Sequence, residues 1–408
     1  MRKFWRSLGP GLITGASDDD PSGIATYSQA GAVFGLSMLW TALLTFPMMA
    51  AIQGMCARIG MVTSQGLTST LKNHYSRWLL YGMLLFSVPA IVLNISADIA
   101  GMGAVAHLIC PSVSSVIFAV LFVLLLIISL IYFPYRKIAD VMKWLCVILM
   151  VYTIIPFLVK QDGWEIVKAT FVPQLHFTKG YITLLVGVLG TTISPYLFFW
   201  QASMENEEQA GKAPAVPVDK AEISGMRMDV NTGMLFSNVV MYFIILTTGT
   251  VLFRGPLHNI DTVQDAAMAL KPLAGETAYL LFAIGIIGTG FLAIPVLAGS
   301  ISYMLAETFG WKEGLNNSWH KARGFYLVLG VSMLIGLAIN LIGIDPIRAL
   351  IFTAVVYGIT APVLIAIILH ICNNKNIMGE FTNSKLSNFL GFLTLLVMGI
   401  AAIAYFVV

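Results

Sequence analysis

Asp18-Asp19-Asp20-Pro21-Ser22-Gly23 puts three carboxylates and a helix-breaking proline in the middle of Leu8 to Phe34, a stretch otherwise apolar enough to cross a membrane. Each acidic residue at the centre of a spanning helix costs about 2.5 to 3.5 kcal/mol on insertion scales, so such residues mark function by default. Backbone broken at that depth survives only where protein buries it or a wet cavity passes it. A helix cap would account for one of the three carboxylates and leave two unexplained. Consecutive residues at a helix end point in different directions, so all three need not be ligands.

A second break, Gly190-Thr191-Thr192-Ile193-Ser194-Pro195-Tyr196, lies five segments later and has the same grammar. An oxygen-bearing residue (Asp20, Ser194) precedes a proline (Pro21, Pro195), as an N-cap and first-turn proline begin a new helix. Small or hydroxylated residues come just before, so a half-helix can end there. Matching interruptions in two halves of a chain point to a secondary transporter with inverted repeats and a midplane site. Each half-helix would end in free carbonyls and the negative end of its dipole. With the carboxylates added, the crevice favours a cation. The donors on offer are Asp20, Asp19 or Asp18, the hydroxyls of Thr191, Thr192 and Ser194, and free carbonyls; Ser194 reads equally as cap or ligand. Neither break contains Met, Cys or His. Oxygen donors suit hard ions such as magnesium, calcium or manganese, and a loose hydroxylated site suits a partly hydrated ion.

The elements that must position these residues follow from composition. The chain has 408 residues, 58% hydrophobic and 11% charged, which excludes an ordinary water-soluble enzyme. Apolar runs fall at 8–34, 36–59, 79–107, 112–133, 140–160, 180–204, 230–253, 276–306, 323–343, 347–371 and 387–408, or about 11 crossings of a hydrocarbon core roughly 30 Å thick. With Met1 to Ser7 inside, cytoplasmic connections hold about 17 Lys and Arg against about 6 outside, so the N-terminus is expected in the cytoplasm and the C-terminus outside. The net charge of +3 expresses this bias and no nucleic-acid footprint. Arg2, Lys3 and Arg6 precede no short core with a cleavage site, so the first helix is expected to be retained. Cys56, Cys110, Cys146 and Cys372 have no metal-type spacing and read as packing residues. Glu205 to Asp229, with Glu205, Glu207, Glu208, Pro214 and Pro217, reads as a solvated cytoplasmic linker. Gln53, Asn94, Asn238 and Asn340 read as hydrogen bonds between helices. Glu307 reads as a water-contacting residue at a cytoplasmic segment end, and Gly285, Gly288, Gly290 and Gly299 as close-packing positions.

These residues resemble the Nramp divalent-metal transporters. Gly9-Pro10-Gly11-Leu12 followed by Asp20-Pro21-Ser22-Gly23 is similar to that family's first-helix G-P-G-L and D-P-G-N. Thr191-Thr192-Ile193-Ser194-Pro195-Tyr196 resembles its sixth-helix A-x-x-M-P-H, and Asp98-Ile99-Ala100-Gly101 its third-helix D-L-A-E. The resemblance implies an all-α integral membrane protein of the LeuT-type fold. It has helices 1 and 6 broken, two inverted five-helix repeats (8–160 and 180–371) and one peripheral helix (387–408) in a single transporter domain, with alternating access around a metal site. Only Asp20 carries over as a side-chain ligand. Gly23 replaces the family's asparagine, Thr191 its alanine, Ser194 its methionine and Ala354 its tenth-helix glutamine. The thioether that favours iron and manganese is missing, so the chain looks most like the divergent Nramp-related magnesium transporters.

Tyr196 and Gly101 replace the family's histidine and glutamate, and all six histidines lie in connections or near segment ends. Asp98 faces Arg323 by this resemblance and is either a structural pair or a titrating group. Potential-driven uptake of magnesium, with manganese also carried, is therefore expected over proton symport. A proton-coupled Mn2+/Fe2+ symporter and a sodium- or proton-coupled organic-solute carrier remain alternatives; a metal receptor fits poorly without a soluble domain. Asp20 beside Pro21 would repel an anionic solute. The expected partners are a divalent cation and the lipid bilayer, with no cofactor beyond the transported ion, no nucleic acid and no obligatory protein partner.

Overall fold

Pro21 and Pro195 each open a helix instead of interrupting one, because a proline at the first turn forfeits only an N–H that has no intrahelical partner. In the computed structural model the first span is two pieces, Pro10–Asp18 and Pro21–Phe34. The sixth is likewise Lys179–Thr192 and Pro195–Ala210. Pro47, Pro89, Pro295 and Pro362, in contrast, lie inside continuous helices. The structure describes residues 9–133, 137, 147–159, 162–210, 218–253, 260, 262–275, 278–343 and 345–408.

Every regular element among the described residues is a helix. The continuous spans are Trp40–Thr63, Arg77–Ile109, Ser115–Tyr132, Lys220–Val251, Ala278–Phe309, Arg323–Asn340, Pro346–Asn373 and Lys385–Val407. With the sixth span, these make 9 helices among the described residues that are long and apolar enough to cross a membrane. The broken first span is a further crossing. The fifth, expected at 140–160, shows Val147–Thr153 as a 3-10 turn and Ile155–Leu158 as a short helix; its beginning, with Cys146, lies outside the described residues. Side chains of Ser76, Ser114, Thr178, Asp219, Asp345 and Ser384 cap the spans they precede, each cap contributing about 1 kcal/mol.

Burial sorts centre from rim. In its most apolar window the sixth span is 94% buried, while the fourth and eleventh are only 22% buried and present Leu121, Leu125, Leu396 and Ile400 outward. Lipid is as good a solvent for those side chains as protein, so nothing forces them inward. Small residues bring the central helices together. A Cβ on Gly15 would stand 2.2 Å from the Gly233 carbonyl oxygen of the seventh span, and one on Gly190 would stand 2.2 Å from the Ala354 carbonyl of the tenth. The Gly290 and Gly299 expectations hold likewise, against Met102 and Trp200.

The polar stretch expected as a linker is mostly helix. Glu205 to Ala210 complete the sixth span, and Lys220 to Asp229 open the seventh. Asp229 then does structural work: its carboxylate accepts from Gly9 N at 2.9 Å and Gly11 N at 2.7 Å, capping the first half-helix across the fold. Pro214 and Pro217 lie outside the described residues. Cys56 and Cys372 are buried as expected, whereas Cys110 sits half-exposed at the end of the third span beside Ser112.

Candidate metal centre

Asp20 is the cap that the proline grammar implies. Its extended backbone lets Oδ1 accept from Gly23 N at 2.7 Å, while Oδ2 accepts from Asn94 Nδ2 at 2.8 Å. Asn94 Oδ1 in turn accepts from Thr353 Oγ1 at 2.9 Å. Oxygen toward the tenth span and nitrogen toward Asp20 fixes this amide, so Asn94 does bond between helices, and its partner is the central carboxylate. Asn94, Asp98 and Gly101 follow one another along one face of the third span. At Gly101 a Cβ would stand 3.3 Å from Leu350 and 3.7 Å from the Pro21 ring. Asp98 lies between them, buried, facing the Ser22 N–H and with no side-chain hydrogen-bond partner.

The expected pairing of Asp98 with Arg323 does not form. Gly336 of the ninth span packs level with Ile95 and Ser96, which places Arg323 about 20 Å further along the axis at 1.5 Å per residue. Arg323 begins that helix on an exposed turn.

Asp18 and Asp19 turn away from Asp20 toward the seventh span. Ser237 Oγ lies 2.7 Å from Asp18 Oδ2 and 3.2 Å from Asp19 Oδ1, one hydroxyl shared by two carboxylates. Asp18 Oδ1 and Asp19 Oδ2 have no partner. All four aspartates are buried, and among the described residues no Lys, Arg or His side chain faces them. Carboxylates held dry and unpaired require protons or a cation.

The second break closes the other wall. A Cβ on Gly23 would stand 3.2 Å from Thr191 Oγ1 and 3.4 Å from the Asp18 carbonyl, so the two breaks face each other across that glycine. Thr192 Oγ1 donates to Val188 O at 2.6 Å and lies 3.1 Å from Tyr27 OH. Tyr196 OH donates to Ser17 O at 3.0 Å, occupying a carbonyl freed by the end of the first half-helix. Ser194 sits at the cap position, its carbonyl accepting from Leu197 N at 3.1 Å, and its hydroxyl donates back to Thr191 O at 2.5 Å, with Gly190 O at 3.3 Å. That leaves the hydroxyl lone pairs as acceptors. Among the described residues no three His, Cys, Asp or Glu side chains converge to hold a metal by themselves. An ion here would therefore complete its shell from hydroxyls, carbonyls or retained water.

Sequence reasoning missed Ser237, Met241 and Thr353, because only helix register shows that they face the breaks. Met241 Sδ lies 3.5 Å from Thr192 Oγ1, so a thioether does reach this region, from the seventh span. Glu307 also departs from expectation. It is 5% exposed, accepting from Ser69 N and Ser203 Oγ, each at 2.7 Å, and so ties helix Leu67–His74 to the sixth and eighth spans. Glu207 is likewise held, by Tyr303 OH at 2.6 Å.

The sequence matches the Nramp family, natural resistance-associated macrophage protein-like, over residues 11–408. It is 22% identical over 397 residues to the divalent metal cation transporter MntH of Caldanaerobacter subterraneus subsp. tengcongensis, covering 96% of this chain and 90% of that one. With MntH of Bacillus subtilis the figures are 23% over 384 residues, 93% and 86%. Among solved structures, the Eremococcus coleocola manganese transporter bound to an aromatic bis-isothiourea compound aligns with a TM-score of 0.75 at 18% identity, over 98% of this chain and 87% of that one. Mhp1, a nucleobase-cation-symport-1 family transporter in a closed conformation, aligns with a TM-score of 0.59 at 12% identity, over 97% and 91%. The architecture is thus the LeuT-type bundle that the family resemblance implied. Because the family match runs from the broken first span to the last residue, the chain belongs to the Nramp family of divalent metal cation transporters and is not an enzyme.

Proposed function

We propose that this chain imports hard divalent cations, Mg2+ with Mn2+ also carried, by alternating access and without obligatory proton coupling, as a divergent Nramp-related magnesium transporter. The observation that carries this is a cluster of buried carboxylates and hydroxyls between two helix breaks, which would form the ion chamber, with Ser194 standing where the family pattern has a thioether. Hard oxygen donors accept an ion that keeps part of its water. Asp20 and Thr191 line the entry of the ion between the half-helices, and Asp18 and Asp19 supply further charge. Uncoupled uptake is supported by Tyr196, whose hydroxyl is bound to the Ser17 carbonyl at a place where the family pattern has a titrating histidine. An inside-negative potential supplies about 2.3 kcal/mol per charge per 100 mV, roughly 4.6 for a divalent ion. That field drives the ion inward whichever way the chain is inserted.

A proton-coupled Mn2+/Fe2+ symporter is the second reading, favoured by one observation: Asp98 is buried with no side-chain partner for its carboxylate. Flux into proteoliposomes with a proton-sensitive dye separates the two. The proposal expects Mg2+ and Mn2+ entry, little Ca2+ entry, no accompanying proton signal, and loss of flux in Asp20→Ala. Proton entry that tracks the metal would establish the symporter instead, and unaltered flux in Asp20→Ala would remove the chamber from the transport path.

A further inference from the structure

The seventh span carries Ser237 and Met241 one turn apart on a single face, and both reach the broken helices. Ser237 bonds Asp18 and Asp19 of the first break, and Met241 Sδ stands 3.5 Å from Thr192 Oγ1 of the second. Met241 is wholly buried, and Thr45 Oγ1 is 3.9 Å from the same sulphur. The Thr192 hydroxyl hydrogen is directed to Val188 O at 2.6 Å, which leaves the Met241 lone pairs without a strong donor. Met49 makes the contrast: its sulphur accepts from Asn238 Nδ2 at 2.6 Å and, among the described residues, forms no hydrogen bond to either break.

We propose that Met241 is a specificity-determining residue of the chamber, its thioether being the soft donor that lets Mn2+ and thiophilic ions such as Cd2+ compete with Mg2+. The family pattern supplies a thioether from the sixth span, where this chain has Ser194. Here the soft atom enters instead from the seventh, one helical turn from the hydroxyl that gathers two carboxylates. A polarisable sulphur gains more from a soft or borderline ion than from magnesium, so it shifts the ranking without adding charge.

The inference rests on the chamber between the breaks being the ion site, and its test keeps the two separable. Mn2+, Cd2+ and Mg2+ fluxes are measured in proteoliposomes for the unmodified protein, Met241→Leu, Met49→Leu and Asp20→Ala. Leucine conserves the volume of methionine, so packing is disturbed little. The Mn2+/Mg2+ and Cd2+/Mg2+ ratios should fall about tenfold in Met241→Leu and hold their original values in Met49→Leu. Unchanged ratios in Met241→Leu, with all flux lost in Asp20→Ala, overturn the inference and leave the site standing. Full flux in Asp20→Ala overturns both. X-ray absorption of Cd2+ bound to the unmodified protein is independent of how any variant folds: a sulphur scatterer in the shell supports Met241, and an all-oxygen shell overturns it.

Discussion

Gly15→Ala tests how tightly the first half-helix is seated. A Cβ there would stand 2.2 Å from Gly233 O, 2.3 Å from its carbonyl carbon and 2.6 Å from its Cα. Ordinary contact begins near 3.4 Å, and all three atoms are backbone, so the half-helix must withdraw by about 1 Å. Overpacking of this kind costs about 1–3 kcal/mol, which lowers the population of the seated half-helix roughly 5- to 150-fold relative to displaced arrangements. Hydrogen exchange read by mass spectrometry should speed up in the peptide covering 10–18 by about that factor and change little in 21–34. Gly54→Ala is the control, because a Cβ on Gly54 meets nothing within 4 Å. If Gly15→Ala exchanges like Gly54→Ala, the seated half-helix is not a feature of the working protein, and the argument from close approach fails.

Three further outcomes are expected. Asp229→Asn exchanges a charge-assisted cap on Gly9 N and Gly11 N for a neutral one, which should weaken the first half-helix by about 1 kcal/mol and appear in the same exchange measurement; protection at 10–18 equal to that of the unmodified protein would refute it. Burial, then the nearby Glu307 and Glu207 carboxylates, push the Glu313 carboxyl from 4.5 up to about 9. The folded protein holds a proton there that the unfolded chain releases, so this stabilisation is complete below the unfolded value and is lost as pH rises through the folded one. The Tm in detergent should therefore fall from pH 6 to pH 10, with a shallower slope in Glu313→Gln; equal slopes would count against it. Ser194→Met should raise Mn2+ and Cd2+ flux relative to Mg2+, and an unchanged ranking would show that position 194 does not meet the ion.

What was legible in the sequence was whatever local chemistry dictates. Aspartate or serine before proline marks a restarted helix, so both breaks and most span limits follow from residue order alone. The LeuT-type layout came from the motif resemblance and not from the number or spacing of the spans. What depends on register between helices was not legible. Asn94 sits mid-span in an apolar run, and nothing near it in sequence shows that its amide is clamped between Thr353 and Asp20. Ser237 and Met241 are equally silent until the seventh span is docked. Glu205, Glu207 and Glu307 look solvated because they are polar and close to segment ends. Glu307 is covered by helix Leu67–His74 and Ser203, Glu205 is buried beside Gln201, and Glu207 is met by Tyr303 and Asn316. Arg323 failed as a partner for Asp98 by distance along a helix, which a motif match does not measure.

The central claim is that a divalent ion rests between the two broken spans. Anomalous scattering from crystals of the protein soaked in Mn2+ locates it directly. The account predicts one strong peak between the two breaks near Asp20 and Thr191, within direct or one-water reach of a carboxylate and absent from crystals of Asp20→Ala. A peak confined to the carboxylates around Glu207 and Glu313, with the space between the breaks empty, would contradict it.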